Sequence, residues 1–221
     1  MTASTSEQLS PLNASKPDTP HPSVSSLAKR GLDILGGLVG MAILAILFLP
    51  ISIAIKVESP GPIFYSQLRH GLHGQQFRIW KFRSMVQNAD ELKALVQNEV
   101  QGQIFKNEND PRITRVGKFL RRTSLDEFPQ FWNVLIGDMS LVGTRPPTPD
   151  EVAQYEPHHW QRLNVKPGIT GQWQVNGRSS IKDFEEIVKL DLVYQEQWHP
   201  LYDVQLLLQT VRHLLSRSDA Y

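Results

Sequence analysis

The most prominent hydrophobic pattern in the chain is one run. Residues 34–55 include no charged side chain, and about 20 such residues suffice to reach across a bilayer core. Cations flank both ends: Lys29 and Arg30 before the run, and Lys56, Arg69, Arg78, Lys81 and Arg83 after it. The positive-inside rule therefore assigns both ends to the cytoplasmic side. The sequence holds no second long apolar run to bring the chain back. Pro50 lies inside the run, where it removes a backbone N–H and releases the carbonyl of Ile46, with Ser52 as a candidate partner. A re-entrant helix that enters and leaves on one side meets these conditions. A kinked spanning helix accommodates the proline equally well. A cleaved signal peptide fits poorly, because the run is long for an h-region.

Shorter patterns follow. Ser59-Pro60-Gly61-Pro62 reads as a turn, and residues 63–67 and 77–83 as two strands around a loop marked by Gly71 and Gly74. In the second strand, Phe77, Ile79 and the stem of Lys81 alternate with Arg78, Trp80 and Phe82. Val86, Ala89, Leu92 and Val96 give a helical period over residues 86–100. A polar loop over 102–111 precedes a helical stretch with a cation every three to four residues. Pro167-Gly168 marks a turn, after which Trp173 and Val175 suggest a short strand. Helices are expected over 181–197, starting near Asp183, and over 203–215. The second carries Val204, Leu207, Leu208, Val211 and Leu215 on one face, which packs on the core or lies in a membrane interface. The expected fold is α+β and mainly helical: an N-terminal re-entrant membrane helix plus a cytoplasmic globular domain with a small hairpin or sheet. Residues 1–26, rich in Ser, Thr, Pro and Asn, are expected to be a disordered tail. The membrane helix is assigned to 27–56 and the globular, catalytic domain to 57–221.

Composition removes some chemistry. With no cysteine there is no disulfide, thiolate metal site or Cys nucleophile. A net charge of +1 gives no overall bias toward nucleic acid, so local charge carries the information. Its densest point is Arg121-Arg122-Thr123-Ser124-Leu125-Asp126-Glu127. Two adjacent carboxylates there follow Arg112, Arg115, Lys118, Arg121 and Arg122. Carboxylates among cations suit nucleophilic attack on an anionic substrate, or a divalent metal held against phosphate oxygens. The same residues also read as helix capping, since Ser124-x-x-Glu127 matches a capping box and Asp126 fits an N-cap before Pro129. Downstream, Gly143 permits close backbone approach, and Arg145 stands in a proline-bounded loop suited to bidentate phosphate recognition.

Seven blocks in order resemble the bacterial sugar transferases, the small monotopic phosphoglycosyl transferases. They are Lys29-Arg30-x-x-Asp33, the block from Ser59 through Gln67 to Arg69, Lys81-Phe-Arg-Ser-Met85, Asp110-Pro-Arg112 through Lys118, Thr123 through Gln130, Gly137-Asp-Met-Ser-Leu-Val-Gly143 and Lys166-Pro-Gly-Ile-Thr-Gly171. The resemblance covers residues 27–215. It implies transfer of a sugar 1-phosphate from a UDP-sugar to polyprenyl (undecaprenyl) phosphate at the cytoplasmic face of the bacterial inner membrane, with release of UMP. This would be a first membrane step of exopolysaccharide or other glycoconjugate assembly. The resemblance makes Asp126 the nucleophile of a covalent phosphosugar intermediate and Glu127 a Mg²⁺ ligand. Lys81, Arg121 and Arg145 become phosphate-binding residues, with Arg112 and Arg115 added from the basic stretch. Pro50 matches the family's helix-breaking proline. Longer members carry an N-terminal bundle of membrane helices, and this chain is expected to act without one. Inner-membrane lipid, downstream glycosyltransferases and a second copy of the chain are the further partners it suggests. Two departures stand out: Thr144 where Pro is common before Arg145, expected to alter substrate preference, and Phe128 and Phe131 for the usual Leu, expected to be repacking. The rival readings are a non-catalytic scaffold on anionic lipid and a single-pass phosphohydrolase.

Overall fold

The computed structural model describes residues 19–92, 96, 107, 109–177, 181 and 183–216. One long helix organises it. After a short helix α1 (Pro22–Ser25), α2 runs from Leu27 to Glu58, started by the Ser26 side chain accepting from the Lys29 N–H. Its buried positions are Lys29, Asp33, Gly37, Gly40, Leu44, Ile51, Ser52 and Ile55, a stripe at three- to four-residue spacing down one side. The glycines let neighbours reach the helix backbone: Leu135 closes on Gly37 and the Phe131 ring on Gly40, where an added Cβ would overlap it. The other side stays apolar and exposed, including Leu35, Leu38, Val39, Ile46, Leu49, Ile53 and Val57. By length and composition α2 can cross a membrane.

The proline does not interrupt this helix. α2 continues past Pro50 to Glu58, and the Ser52 hydroxyl is buried without a hydrogen-bond partner, so it does not serve the released carbonyl. At the other end, part of the expected tail is built into the fold. The His21 ring bonds the Gln195 carbonyl at 3.0 Å and meets Trp198 edge-on, while residues 1–18 lie outside the described part.

β1 (Phe64–His70) and β2 (Gln76–Phe82) form the expected antiparallel hairpin, with Tyr65 opposite Lys81. Phe82 breaks the alternation by being buried, because the end of that face is covered by α2 through Ile51, Ile55 and a stack with Phe64 and Phe48. The helix expected from residue 86 is absent from its described beginning: 87–90 are turns. Residues 93–95 and 97–106 lie outside the description. α3 (Arg115–Arg122), a 3-10 turn at Leu125–Glu127, and α4 (Gln130–Ile136) follow. β3 (Ser140–Val142) pairs in parallel with β4 (Gly168–Thr170), flanking α5 (Pro149–Val152) and a 3-10 stretch at Pro157–Asn164. Trp173 and Val175 belong not to a strand but to a helical turn, α6 (Gln172–Val175), with the strand just before it. α7 (Phe184–Gln197) starts as expected, with Asp183 capping the Glu185 N–H. α8 (Pro200–Ser216) packs through Tyr202, Asp203 and Leu206 and leaves Leu201, Val204, Leu208, Val211 and Leu215 exposed in one stripe.

The core gathers α2, β2, α4, β3, α7 and α8 around Ile79, Val134, Met139, Val142, Tyr194 and Leu206. The expected mainly helical α+β class, with a small hairpin and one apolar N-terminal helix, is what the structure has.

Candidate active site

The site is built on the junction between α3 and α4. α3 begins where Thr114 accepts from the Gly117 N–H, and where the Glu58 carboxylate, the last residue of α2, accepts from the N–H groups of Arg115 and Val116 at 2.7 and 2.8 Å. These satisfy three of the otherwise unpaired donors of the first turn. Gly117 lets α3 press onto the Ser84 backbone, and Arg121 Nε donates to Ser84 Oγ at 2.9 Å. α3 is thereby fixed to the end of β2, whose Lys81 stands three residues before Ser84.

The chain then turns sharply. Ser124 takes a left-handed conformation (φ 55°, ψ 17°), which for a side-chain-bearing residue costs about 1 kcal/mol and is most often kept where function needs it. Asp126 follows, 6% exposed, and Glu127 beside it accepts from Lys81 Nζ at 3.1 Å.

The geometry excludes the capping box. The Ser124 side chain makes no cap hydrogen bond, Asp126 lies within the 3-10 turn, and the N-cap of α4 is Pro129. The reciprocal box forms instead at Thr148 and Glu151, opening α5. A serine in the left-handed region cannot present its hydroxyl as an N-cap in extended conformation does, so the sequence signature was met without its backbone.

The expected cations separate into two groups. Lys81 contacts Glu127, and Arg121 lies one turn before the carboxylate pair. Arg112 has a different job. It is buried, its Nε and Nη2 engage the Asp110 carboxylate, and its Nη1 holds the Ala89 carbonyl. Bonding from Arg112 keeps the Asp110 carboxyl below its usual range. Arg112 is therefore an internal tie for the loop before α3. Arg115 is exposed in the first turn of α3, at the opposite end from the pair.

Arg145 lies after β3 with both terminal nitrogens on Glu151, at 2.9 and 3.0 Å, and its guanidinium 6.0 Å from the Trp173 ring centroid. Burial pushes the Glu151 carboxyl up, but the Arg145 charge, its hydrogen bond and the Thr148 N–H outweigh it, so the net shift is downward. A guanidinium has five N–H groups, and Glu151 uses one on each terminal nitrogen. Thr144 is buried with its hydroxyl on the Arg162 carbonyl at 3.1 Å. Any influence of this residue on substrate passes through the backbone. Phe131 meets Phe128 edge-on at 5.4 Å and occupies the space over Gly40.

Arg69 and Glu151 were not singled out from the sequence. Arg69 donates to the Pro146 carbonyl at 2.9 Å and to Gln67 at 2.7 Å. In the sequence it is a flanking charge and the last residue of the Ser59–Arg69 block, with no role of its own attached to it. Glu151 had a legible signal, the Thr148-x-x-Glu151 box.

Two groupings bear on metal chemistry. Asp126 and Glu127 offer carboxylate oxygens, the donor class Mg²⁺ takes, next to cations suited to phosphate. His158, His159 and Glu185 also converge, with His159 Nε2 2.7 Å from Glu185. But His159 Nδ1 accepts from the Glu156 N–H. That places the ring proton on Nε2, where a metal would need a lone pair. This cluster is a hydrogen-bonded fastening of α7.

A family model described as bacterial sugar transferase matches residues 24–217. The chain is 50% identical over 196 residues to a galactosyl transferase, CpsE, of Streptococcus agalactiae, covering 88% of this chain and 43% of that protein. It is 40% identical over 211 residues to a UDP-glucose:undecaprenyl-phosphate glucose-1-phosphate transferase of Escherichia coli, covering 92% and 44%. It is 38% identical over 202 residues to a UDP-N-acetylgalactosamine-undecaprenyl-phosphate N-acetylgalactosaminephosphotransferase of Aeromonas hydrophila, covering 89% and 46%. The chain thus spans less than half the length of these relatives.

Proposed function

The chain belongs to the bacterial sugar transferase family, and we propose that it transfers a sugar 1-phosphate from a UDP-sugar to a polyprenyl phosphate at the cytoplasmic face of the inner membrane, releasing UMP. The observation that carries this reading is the carboxylate pair itself. Asp126 and Glu127 stand on a strained turn fixed by α3 and α4, Glu127 faces Lys81, and no helix cap explains them.

In the proposed reaction an Asp126 carboxylate oxygen attacks the β-phosphorus of the UDP-sugar. The new P–O bond forms as the bond to the UMP oxygen breaks, and UMP leaves with that electron pair. A phosphate oxygen of the polyprenyl phosphate then attacks the same phosphorus and returns the Asp126 carboxylate. Two steps let a soluble donor and a membrane acceptor use one site in turn. Lys81 and Arg121 offset the diphosphate charge that would repel Asp126, and Arg145 binds from the facing loop. Glu127 would hold Mg²⁺, which when bound supplies further neutralisation at the diphosphate.

The membrane reading is supported by how α2 is attached. Its N-terminal end pairs Lys29 with Asp203, and its C-terminal end caps α3 through Glu58, so both ends bond to one globular unit. A helix of 32 residues is about 48 Å long. Lying along that unit, it keeps both ends on one side and leaves its exposed apolar face to lipid. α8 also leaves an apolar stripe exposed. The test is UMP release from a panel of UDP-sugars, with and without polyprenyl phosphate and with a chelator. The account predicts metal-dependent UMP release and a lipid-linked phosphosugar. A scaffold gives no UMP, and a phosphohydrolase gives free sugar phosphate without lipid.

A further inference from the structure

We propose that Arg69 is a positioning residue for the transfer reaction, holding the loop that carries Arg145 at a fixed distance from the Asp126–Glu127 turn; this rests on the function proposed above. The hairpin is the rigid part. Seven consecutive residue pairs link β1 and β2. At one place Lys81, paired with Tyr65, reaches Glu127. Four residues further along β1, about 13 Å at 3.3 Å per residue, Arg69 Nη1 donates to the Pro146 carbonyl. The next residue, His70, gives its N–H to the Pro147 carbonyl at 3.0 Å. One strand pair thus ties the carboxylate turn to the Arg145 loop. The Arg145 side chain is set separately by Glu151.

Arg69 is an expensive way to hold a carbonyl if that were all it did. It is half-buried, its Nε has no hydrogen-bond partner, and it lies close enough to Arg145 to feel its charge. Burial first, and then Arg145, push its guanidinium down to about 10, while Glu151, Tyr65 and Glu127 oppose the shift. It remains charged at neutral pH. A neutral donor would hold the Pro146 carbonyl without repelling Arg145. What Arg69 adds is a positive charge felt by both Glu151 and Glu127, near the Arg that is to meet the diphosphate.

The test is a double-mutant cycle on UMP release, with Arg69→Gln, Arg145→Gln and the double variant, each checked by thermal unfolding. Displacing a binding group by about 1 Å can cost on the order of 100-fold. Each single variant is therefore expected to lose about 10- to 100-fold in kcat/KM. If Arg69 acts through Arg145, the double variant falls no further than the worse single, within about twofold. Arg69→Lys keeps the charge and should recover part of the loss. If Arg69→Gln does not fold, Arg69→Lys replaces it in the cycle. Losses that multiply, or an Arg69 variant with full activity, overturn the proposal while the proposed function stands. A wild-type protein that releases no UMP from any donor overturns both.

Discussion

Lys29 and Lys81 each pair with a carboxylate, and the two pairs differ in what surrounds them. Lys29 Nζ meets Asp203 at 2.6 Å, the Val142 carbonyl at 2.9 Å and the Tyr194 hydroxyl at 3.2 Å, with side-chain exposures of 5% and 1% across the ion pair. An ammonium has three donors, and all three are used. Asp203 in turn accepts from Tyr194 and from the Trp198 indole. The Lys81–Glu127 pair is looser, at 3.1 Å, with exposures of 28% and 15%. A saturated, dry pair fixes α2 to α8 and has nothing left for a ligand. A half-open pair can exchange a protein partner for a phosphate or a metal at little desolvation cost. Openness, more than charge, separates the pair proposed to bind substrate from the structural one.

Removing one partner of the buried pair should have the largest effect on folding. Lys29→Met leaves Asp203 uncompensated and is expected to lower stability by about 3–5 kcal/mol in urea unfolding. The double variant Lys29→Met with Asp203→Leu should recover much of this. Failure to recover would mean the pair contributes more than mutual compensation.

The same change at the open pair should affect catalysis and spare the fold. Lys81→Met is expected to shift stability by less than about 1 kcal/mol. Turnover should fall on the order of 100-fold, as for the loss of one electrostatic stabiliser. A large stability loss with unchanged turnover would reverse the assignment of the two pairs.

The smallest effect concerns the turn beside the open pair. Ser124→Gly removes a side chain from a left-handed residue, whereas Ser124→Ala retains the strain. The Gly variant is expected to be more stable than the Ala variant by about 0.5–1 kcal/mol. Equal stability of the two would mean the turn is not strained.

This contrast was only half visible in the sequence. Lys29 read as a topology marker because its partner is 174 residues away, and no spacing rule reaches that far. Arg112 read as a phosphate ligand because the cations were taken as one face. Asp110, two residues earlier, held the local clue to its real partner. The stripe of α8 was legible as a period, but not as a surface, since period alone does not say which side meets the core. By contrast, the hairpin and the helix start near Asp183 followed from local pattern, which the fold preserves. Ser124-x-x-Glu127 misled because a motif of residue types says nothing of φ at its first position.

The central claim is that Asp126 forms a covalent bond to the transferred phosphosugar. Intact-protein mass spectrometry after incubation with a UDP-sugar and Mg²⁺, without lipid, tests it most directly. The account predicts that wild-type protein gains the mass of one phosphosugar, lost again when polyprenyl phosphate is added. Asp126→Asn should stay folded, gain nothing, and turn over at least on the order of 10³ more slowly. An unmodified wild-type protein that still transfers, or a fully active Asp126→Asn variant, would contradict it.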